Sequence, residues 1–250
     1  MMSVVVFTDL DDTLFQTAEK ASARAGDAPV EVAALDRDGA PLSFHAPDQM
    51  ALLGLLRGAR LIPVTGRNGP ALDRVISPRF ESYRVTGHGA MIYGPDGAPL
   101  PAWHASVQAH AAQLAPLFEG LLDTLGEQLA ASAPGLRWRL IQDAEVPVYI
   151  TVKAEANAAL PDAATLQSVL DAHGLGEDWR VHCNGRNAAL LPPYACKAAA
   201  VRHVMTLLRA ETPHTLFVGI GDSVSDTPYL KLCHFALTPR DSQIHLERWS

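Results

Sequence analysis

Four short apolar runs constrain this chain more than any other feature, because each breaks off into residues suited to holding phosphate or metal, or into a sharp turn. Residues 4–8 run into Asp9, 61–64 into Thr65, Gly66 and Arg67, 215–220 into Gly221 and Asp222, and 234–237 into Thr238 and Pro239. Runs this short and this continuous, rich in β-branched residues, suit strands buried on both faces, as in a parallel sheet between helix layers. Ligands of open α/β sheets bind at the carboxyl ends of the strands. The polar residues that follow the runs are therefore expected along one edge of one sheet.

Helical patterns alternate with these strands. Met50, Leu52, Leu53, Leu55 and Leu56 form an apolar face that Gly58 can end, and residues 198–208 have high helix propensity. The middle of the chain reads differently. Pro95-Asp96-Gly97 between residues 90–93 and 98–100 predicts a hairpin, followed by a long helix over 103–131 kinked at Pro116. Two alternating segments come next: Leu136, Trp138 and Leu140 oppose Arg137 and Arg139, and Val146, Val148, Ile150 and Val152 oppose Tyr149, Thr151 and Lys153. A helix opened by Pro161 and closed by Gly174, then strands near 179–183 and 187–191, complete two α-β-β units. The fold class expected is α/β: a Rossmann-like parallel-sheet core of residues 1–88 and 192–250, with an inserted α+β cap over 89–191. A further hairpin, residues 30–35 and 41–44 around Asp38-Gly39, follows the first strand closely and is expected as a flap beside the active-site mouth.

The chemistry concentrates in a few places. Asp9-Leu10-Asp11-Asp12-Thr13 sets two carboxylates one residue apart directly after a buried strand. A turn or helix cap would use such residues too. A calcium loop would not, since Leu14 stands where the turn needs glycine and Lys20 where a bidentate Glu is required. A carboxylate at Asp9 can attack phosphorus if a cation screens the repulsion, and Asp11 can protonate the leaving oxygen and then activate water. Asp222 and Asp226 form a second acidic group. The glycines before them do not read as a dinucleotide fingerprint, because Val224 replaces its third glycine. Oxygen ligands from Asp222 and Asp9 suit Mg²⁺. Thr65 and Gly66 offer a hydroxyl and backbone N–H groups to phosphoryl oxygens, Arg67 can pair with an acid, and Lys197 sits at a helix start where anions are attracted.

Asp9/Asp11, Thr65, Lys197 and Asp222/Asp226, in that order and three of them after strands, resemble the four motifs of the haloacid dehalogenase superfamily of phosphohydrolases. The resemblance implies Asp9 as nucleophile, Asp11 as acid/base, Thr65, Gly66 and Lys197 as phosphate ligands, and Asp9, Asp11, Asp222 and Asp226 as the Mg²⁺ site. Residues 86–90 look like the turn leading into a cap, and the cap's place and α-β-β content are similar to subfamily IIB, the Cof-type and sucrose-phosphate-phosphatase-like enzymes. Asp12 for glycine, His88 for asparagine and Ser225 for asparagine depart from the pattern.

The expected function is a Mg²⁺-dependent phosphatase of a small phosphorylated metabolite, with a sugar phosphate the leading class. A phosphotransferase or mutase on the same scaffold, or a non-catalytic phosphate-ligand binding protein, are the alternatives. Arg137, Arg139 and Lys153 on the cap sheet are expected to select an anionic substrate. With 48% hydrophobic residues the chain can bury a sizeable core, and a formal charge of -7 without any basic run argues against a nucleic-acid partner. No apolar run approaches the ~18 residues of a membrane span. Cys183, Cys196 and Cys233 form no CxxC pair, which suits a reducing, cytoplasmic setting. His104 and His110 lie about 240° apart around a helix and are expected as solvated or packing residues. Oligomeric state is not encoded in any motif.

Overall fold

A computed structural model describes residues 3–132, 135–155, 157–176 and 178–245. The chain divides into two compact units, Met1–Ala98 with Lys197–Ser250, and Pro99–Cys196. Along the chain, the first unit contains β1 (Ser3–Thr8), β2 (Gln16–Thr17), α1 (Ala18–Ala25), β3 (Glu31–Leu35), β4 (Pro41–His45), α2 (Pro47–Leu55), β5 (Arg60–Pro63), α3 (Gly69–Leu72), β6 (Arg84–Thr86) and β7 (Met91–Tyr93). The inserted unit supplies α4 (Pro101–Ser132), β8 (Leu136–Asp143), β9 (Val146–Ala154), α5 (Ala163–Ala172), β10 (Arg180–Asn184) and β11 (Asn187–Leu191). The first unit then resumes with α6 (Lys197–Glu211), β12 (Thr215–Ile220), α7 (Thr227–Leu230) and β13 (Phe235–Leu237).

The core sheet runs β13-β12-β1-β5, all parallel. β1 lies inside it, Val5, Val6 and Phe7 being wholly buried, with Phe7 against Phe217 of β12 at 5.9 Å between ring centroids. Lys197, Val201, Val204 and Leu208 recur at helical spacing along the buried face of α6. The antiparallel pair β3–β4, joined by β2, forms the expected hairpin; its turn is held by Asp36 Oδ1, which accepts from the backbone N–H of Asp38 and of Ala40.

Two expectations are corrected here. Residues 98–100 are not a strand: Pro95–Gly97 does make a tight turn, with Gly94 N–H donating to Ala98 O at 2.8 Å, but β7 pairs back onto β6 instead, because Pro101 opens α4 just after the turn. The β6–β7 pair thereby stays with the core, and the inserted unit begins at Pro99 rather than at 89 and ends at Cys196 rather than 191. The long helix expected over 103–131 is present as α4, Pro101–Ser132, with Pro116 inside it.

The inserted unit is an antiparallel sheet of order β10-β11-β9-β8. Leu136, Ile150, Val152 and Leu190 pack on Phe118, Leu121 and Leu125 of α4 and Leu166, Val169 and Leu170 of α5, with Trp179 edge-on to Phe118 at 5.0 Å. Val146 belongs to a separate cluster with Val107 and Ala111. The register of β8 on β9 shifts between Ile141 and Gln142, so the alternation read from Leu136 onward changes phase near the strand end.

Candidate active site

Asp9 is the first residue beyond β1, and its backbone N–H donates to Ile220 O at the end of β12. That parallel pairing brings Asp222 and Asp226 beside it. Gly221 makes the approach possible, since a Cβ there would fall 2.7 Å from Asp226 Cβ and 2.8 Å from the Tyr229 hydroxyl oxygen. Lys197, the first residue of α6, donates from Nζ to Asp9 Oδ1 and to Asp226 Oδ1, each at 2.7 Å. Asp226 Oδ2 accepts from the backbone N–H groups of Asp222 and Ser223 at 3.2 and 3.0 Å and from the Ser223 hydroxyl at 2.8 Å. The Thr13 hydroxyl reaches Asp222 Oδ1 at 3.0 Å and Asp9 Oδ2 at 3.4 Å. Thr13 closes the first motif, where a hydroxyl common in turns gives no sign of this role. Ser223 was missed too, and its place two residues before Ser225 gave no signal.

Three buried carboxylates share one ammonium, so the cluster is short of positive charge. Burial drives the Asp9 carboxyl well above the usual carboxylate range, Asp226 and Asp222 adding to the rise and Lys197 opposing it. Asp222 is pushed up to about 6, by burial first and by Asp226 second. The two acids hold the Lys197 ammonium well above its ordinary value against the desolvation that would lower it. One carboxylate oxygen from each of Asp9, Asp222 and Asp226 lies within 4.8 Å of the others, a set that could hold a metal ion. All-oxygen, net-negative and buried, it fits a hard divalent cation. Within the set, both Asp226 oxygens are engaged by Lys197 and the Ser223 turn, whereas Asp222 Oδ2 meets no donor among the described residues. Asp222 and Asp9 are thus the better ligands, and Asp226 the support.

Asp11 does not join that group. Its carboxylate is gripped by Arg67, Nε to Oδ2 at 2.8 Å and Nη2 to Oδ1 at 2.7 Å. Asp12 meets Lys20 at 2.8 Å. Each of the three acids following β1 therefore meets a cation: Asp9 the Lys197 of α6 that it shares with Asp226, Asp11 the Arg67 of the loop after β5, and Asp12 the Lys20 of α1. Asp12 lies at φ +61°, in the left-handed region where glycine is favoured and Asp is tolerated, which accounts for the glycine usual there.

Thr65 is buried at the end of the β5 segment, and its Oγ1 accepts from the Arg67 backbone N–H at 3.1 Å, leaving its own proton to donate. Gly66 lies under the His88 ring, which a Cβ would meet at 2.5 Å; His88 itself sits at φ +56°, so a position suited to Asn carries an imidazole that covers the loop. Ser225 turns its hydroxyl to Ser223 at 2.8 Å rather than toward Lys197, whose orientation rests on Asp226 instead.

In the inserted unit, Arg137, Arg139 and Lys153 line one cleft of about 640 Å³ together with Leu136, Trp138 and Thr151. Arg137 stands directly across from Lys153, and Arg139 across from Thr151. Arg137 also pairs with Glu155, while Arg139 has no ion-pair partner among the described residues.

A parallel α/β core with an acid-lined strand edge, interrupted by an inserted α-β-β, α-β-β unit, is a fold that this chain shares with solved phosphatase structures. Among solved structures, the chain is similar to a sucrose-phosphatase from a Synechocystis species in complex with sucrose and phosphate, at 17% identity and TM-score 0.55, covering 100% of this chain and 87% of that one. It is also similar to the C-terminal domain of a trehalose-6-phosphate phosphatase from C. albicans, at 15% identity and TM-score 0.58, over 92% of this chain and 73% of that one. A trehalose-6-phosphate phosphatase related protein matches at 16% identity and TM-score 0.53, over 94% and 85% of the two chains. No protein-family model and no curated protein sequence matches the chain.

Proposed function

We propose that this chain is a Mg²⁺-dependent phosphomonoesterase that removes phosphate from a small phosphorylated metabolite, a sugar phosphate by preference, through an aspartyl-phosphate on Asp9. The observation that carries the reading is the asymmetry of the Asp9 carboxylate. Lys197 occupies Oδ1 at 2.7 Å, while Oδ2 has only a 3.4 Å contact with the Thr13 hydroxyl and is the oxygen left to attack phosphorus. As the Oδ2–P bond forms, the ester P–O bond breaks and Asp11 gives its proton to the leaving oxygen. Asp11 then takes a proton from the water that attacks phosphorus, releasing inorganic phosphate and restoring Asp9. Lys197, the Thr65 hydroxyl and the Gly66 backbone bind phosphoryl oxygens and spread their charge. Asp222 and Asp9 would hold a divalent cation, which would supply the remaining screening between nucleophile and substrate. Selection among anionic substrates falls to Arg137, Arg139 and Lys153 of the cap.

Sugar phosphatases among the solved structures of this fold support the substrate class. The cytoplasm is the proposed compartment, consistent with three cysteines that form no disulfide; among the described residues no helix is long and apolar enough to cross a membrane. The test is phosphate release from p-nitrophenyl phosphate and a panel of sugar phosphates, with Mg²⁺ and with EDTA. Release that needs Mg²⁺ and vanishes in Asp9→Asn supports the reading. Full activity in EDTA or in that variant overturns it, and phosphate recovered on an added sugar acceptor instead of in solution turns hydrolysis into transfer.

A further inference from the structure

Arg67 has no role in the reaction as written, yet its guanidinium is held from several sides. Its guanidinium makes a bidentate pair with Asp11, donates from Nη2 to Ser43 Oγ at 3.0 Å, and lies over the Phe15 ring at 4.9 Å from the centroid. Its side chain is 13% exposed against 47% for Asp11, so the cation is the fixed member of the pair and the acid the member open to solvent. The backbone on either side is pinned as well: Arg67 N–H donates to Thr65 Oγ1, and Arg67 O accepts from Gly87 N–H at 2.8 Å. Ser43 is buried in the middle of β4, the inner strand of the β2-β4-β3 sheet.

From this geometry we infer that Arg67 is the positioning residue of Asp11, and that the β3–β4 hairpin controls the aim of the acid/base through Ser43. The inference rests on the phosphatase reading above and deepens it. A planar guanidinium paired in two places fixes the plane of a carboxylate as a point charge cannot. It takes one lone pair on each Asp11 oxygen and leaves the other on each open to a substrate or water. The two Nη2 hydrogens divide between Asp11 Oδ1 and Ser43 Oγ, which makes the hairpin strand the anchor of the acid. Without the clamp a half-exposed Asp11 samples several rotamers, and proton transfer loses its preset geometry, while the nucleophile Asp9 keeps its contact with Lys197.

The experiment compares two esters, p-nitrophenyl phosphate with an acidic leaving group and glycerol 3-phosphate with a basic one, across Arg67→Ala, Arg67→Lys, Ser43→Ala and Asp11→Asn. Proton donation matters for the second ester far more than for the first. Arg67→Ala should lower kcat for glycerol 3-phosphate by about 10²-fold and for p-nitrophenyl phosphate by less than about 10-fold, with KM little changed. Ser43→Ala and Arg67→Lys should show the same leaving-group bias at smaller size, and they carry the test should Arg67→Ala fail to fold. In the Asp11→Asn background, Arg67→Ala should cost nothing further, because a clamp has no value without its acid. Equal losses on both esters, a rise in KM alone, or full additivity with Asp11→Asn would overturn the inference and make Arg67 a structural or phosphate-binding residue. Those outcomes leave the phosphatase reading standing, since wild-type turnover and Asp11→Asn test that separately; no turnover of either ester by the wild type overturns both.

Discussion

In the core sheet β1 is buried along its inner length, and polar chemistry waits until the chain leaves the strand at Asp9; in the cap sheet β8 and β9 interleave apolar residues with Arg137, Arg139 and Lys153 inside the strands themselves. The parallel sheet has parallel neighbours on both sides of β1, so only its strand ends are free for function. The antiparallel cap sheet packs Leu136, Ile150 and Val152 on its helices and spends its cations elsewhere on the same strands. A reactive group at a strand end can be exchanged with small effect on folding, whereas a side chain between sheet and helix cannot.

That contrast is sharpened first at Asp9. Asp9→Asn should reduce turnover on the order of 10⁴-fold, equivalent to about 5.5 kcal/mol of transition-state stabilisation, while circular dichroism and the melting curve remain those of a folded protein. Next in size is the cap core: Phe118→Ala, which removes a buried ring stacked edge-on to Trp179, should cost about 3–5 kcal/mol in denaturant unfolding. A smaller change, with reversed sign, belongs to the acidic cluster. Asp222 is at about 6 in the folded protein and at 3.8 when unperturbed, so the folded chain holds this proton more tightly. The resulting stability is complete below about pH 4 and is lost as pH rises through about 6. In EDTA at pH 8, Asp222→Asn should therefore melt higher than the wild type by about 1–3 kcal/mol, and Mg²⁺ should stabilise the wild type but not the variant. Thermal melts from pH 4 to 8 check both statements; a wild type that gains stability on passing from pH 4 to 7 in EDTA contradicts the charge argument. The smallest effect is predicted on the cap cleft, where Arg139→Ala should change stability by no more than about 0.5 kcal/mol in the same denaturant measurement.

The core strands could be read directly because continuous β-branched runs admit few other fates; Asp9 and Asp222, just after two of those runs, come together, and Asp226 and the helix-start Lys197 join them. The cap's helix-strand-strand order was equally legible from alternation. Less so were features set by pairing partners distant in sequence. Nothing in residues 90–100 says that β7 turns back to β6, since a Pro-Asp-Gly turn suits either partner. The Arg67 grip on Asp11 was open as a generic acid pairing, but its partner could not be chosen among several acids until β1 and β5 were adjacent. Thr13 and Ser223 carry hydroxyls too common in turns to stand out, and they gain their roles only from the closeness of Asp9 and Asp222.

β1 pairs with β5 on one side and with β12 on the other, in a register that matches Ser3 with Thr215. During synthesis the first partner emerges early and the second only after the entire cap has been made. At roughly 5–20 residues per second, about 200 residues of delay leave one edge of a Val-rich strand without its neighbour for about 10–40 s. An apolar edge with free backbone groups is a template for the wrong partner. The nascent chain is thus most vulnerable to association while the cap is already complete, and the arrival of β12 at once closes the edge and delivers Asp222 to Asp9. Growth temperature, translation speed and chaperone supply should consequently govern the yield of this protein through a strand whose last four residues, once folded, are buried.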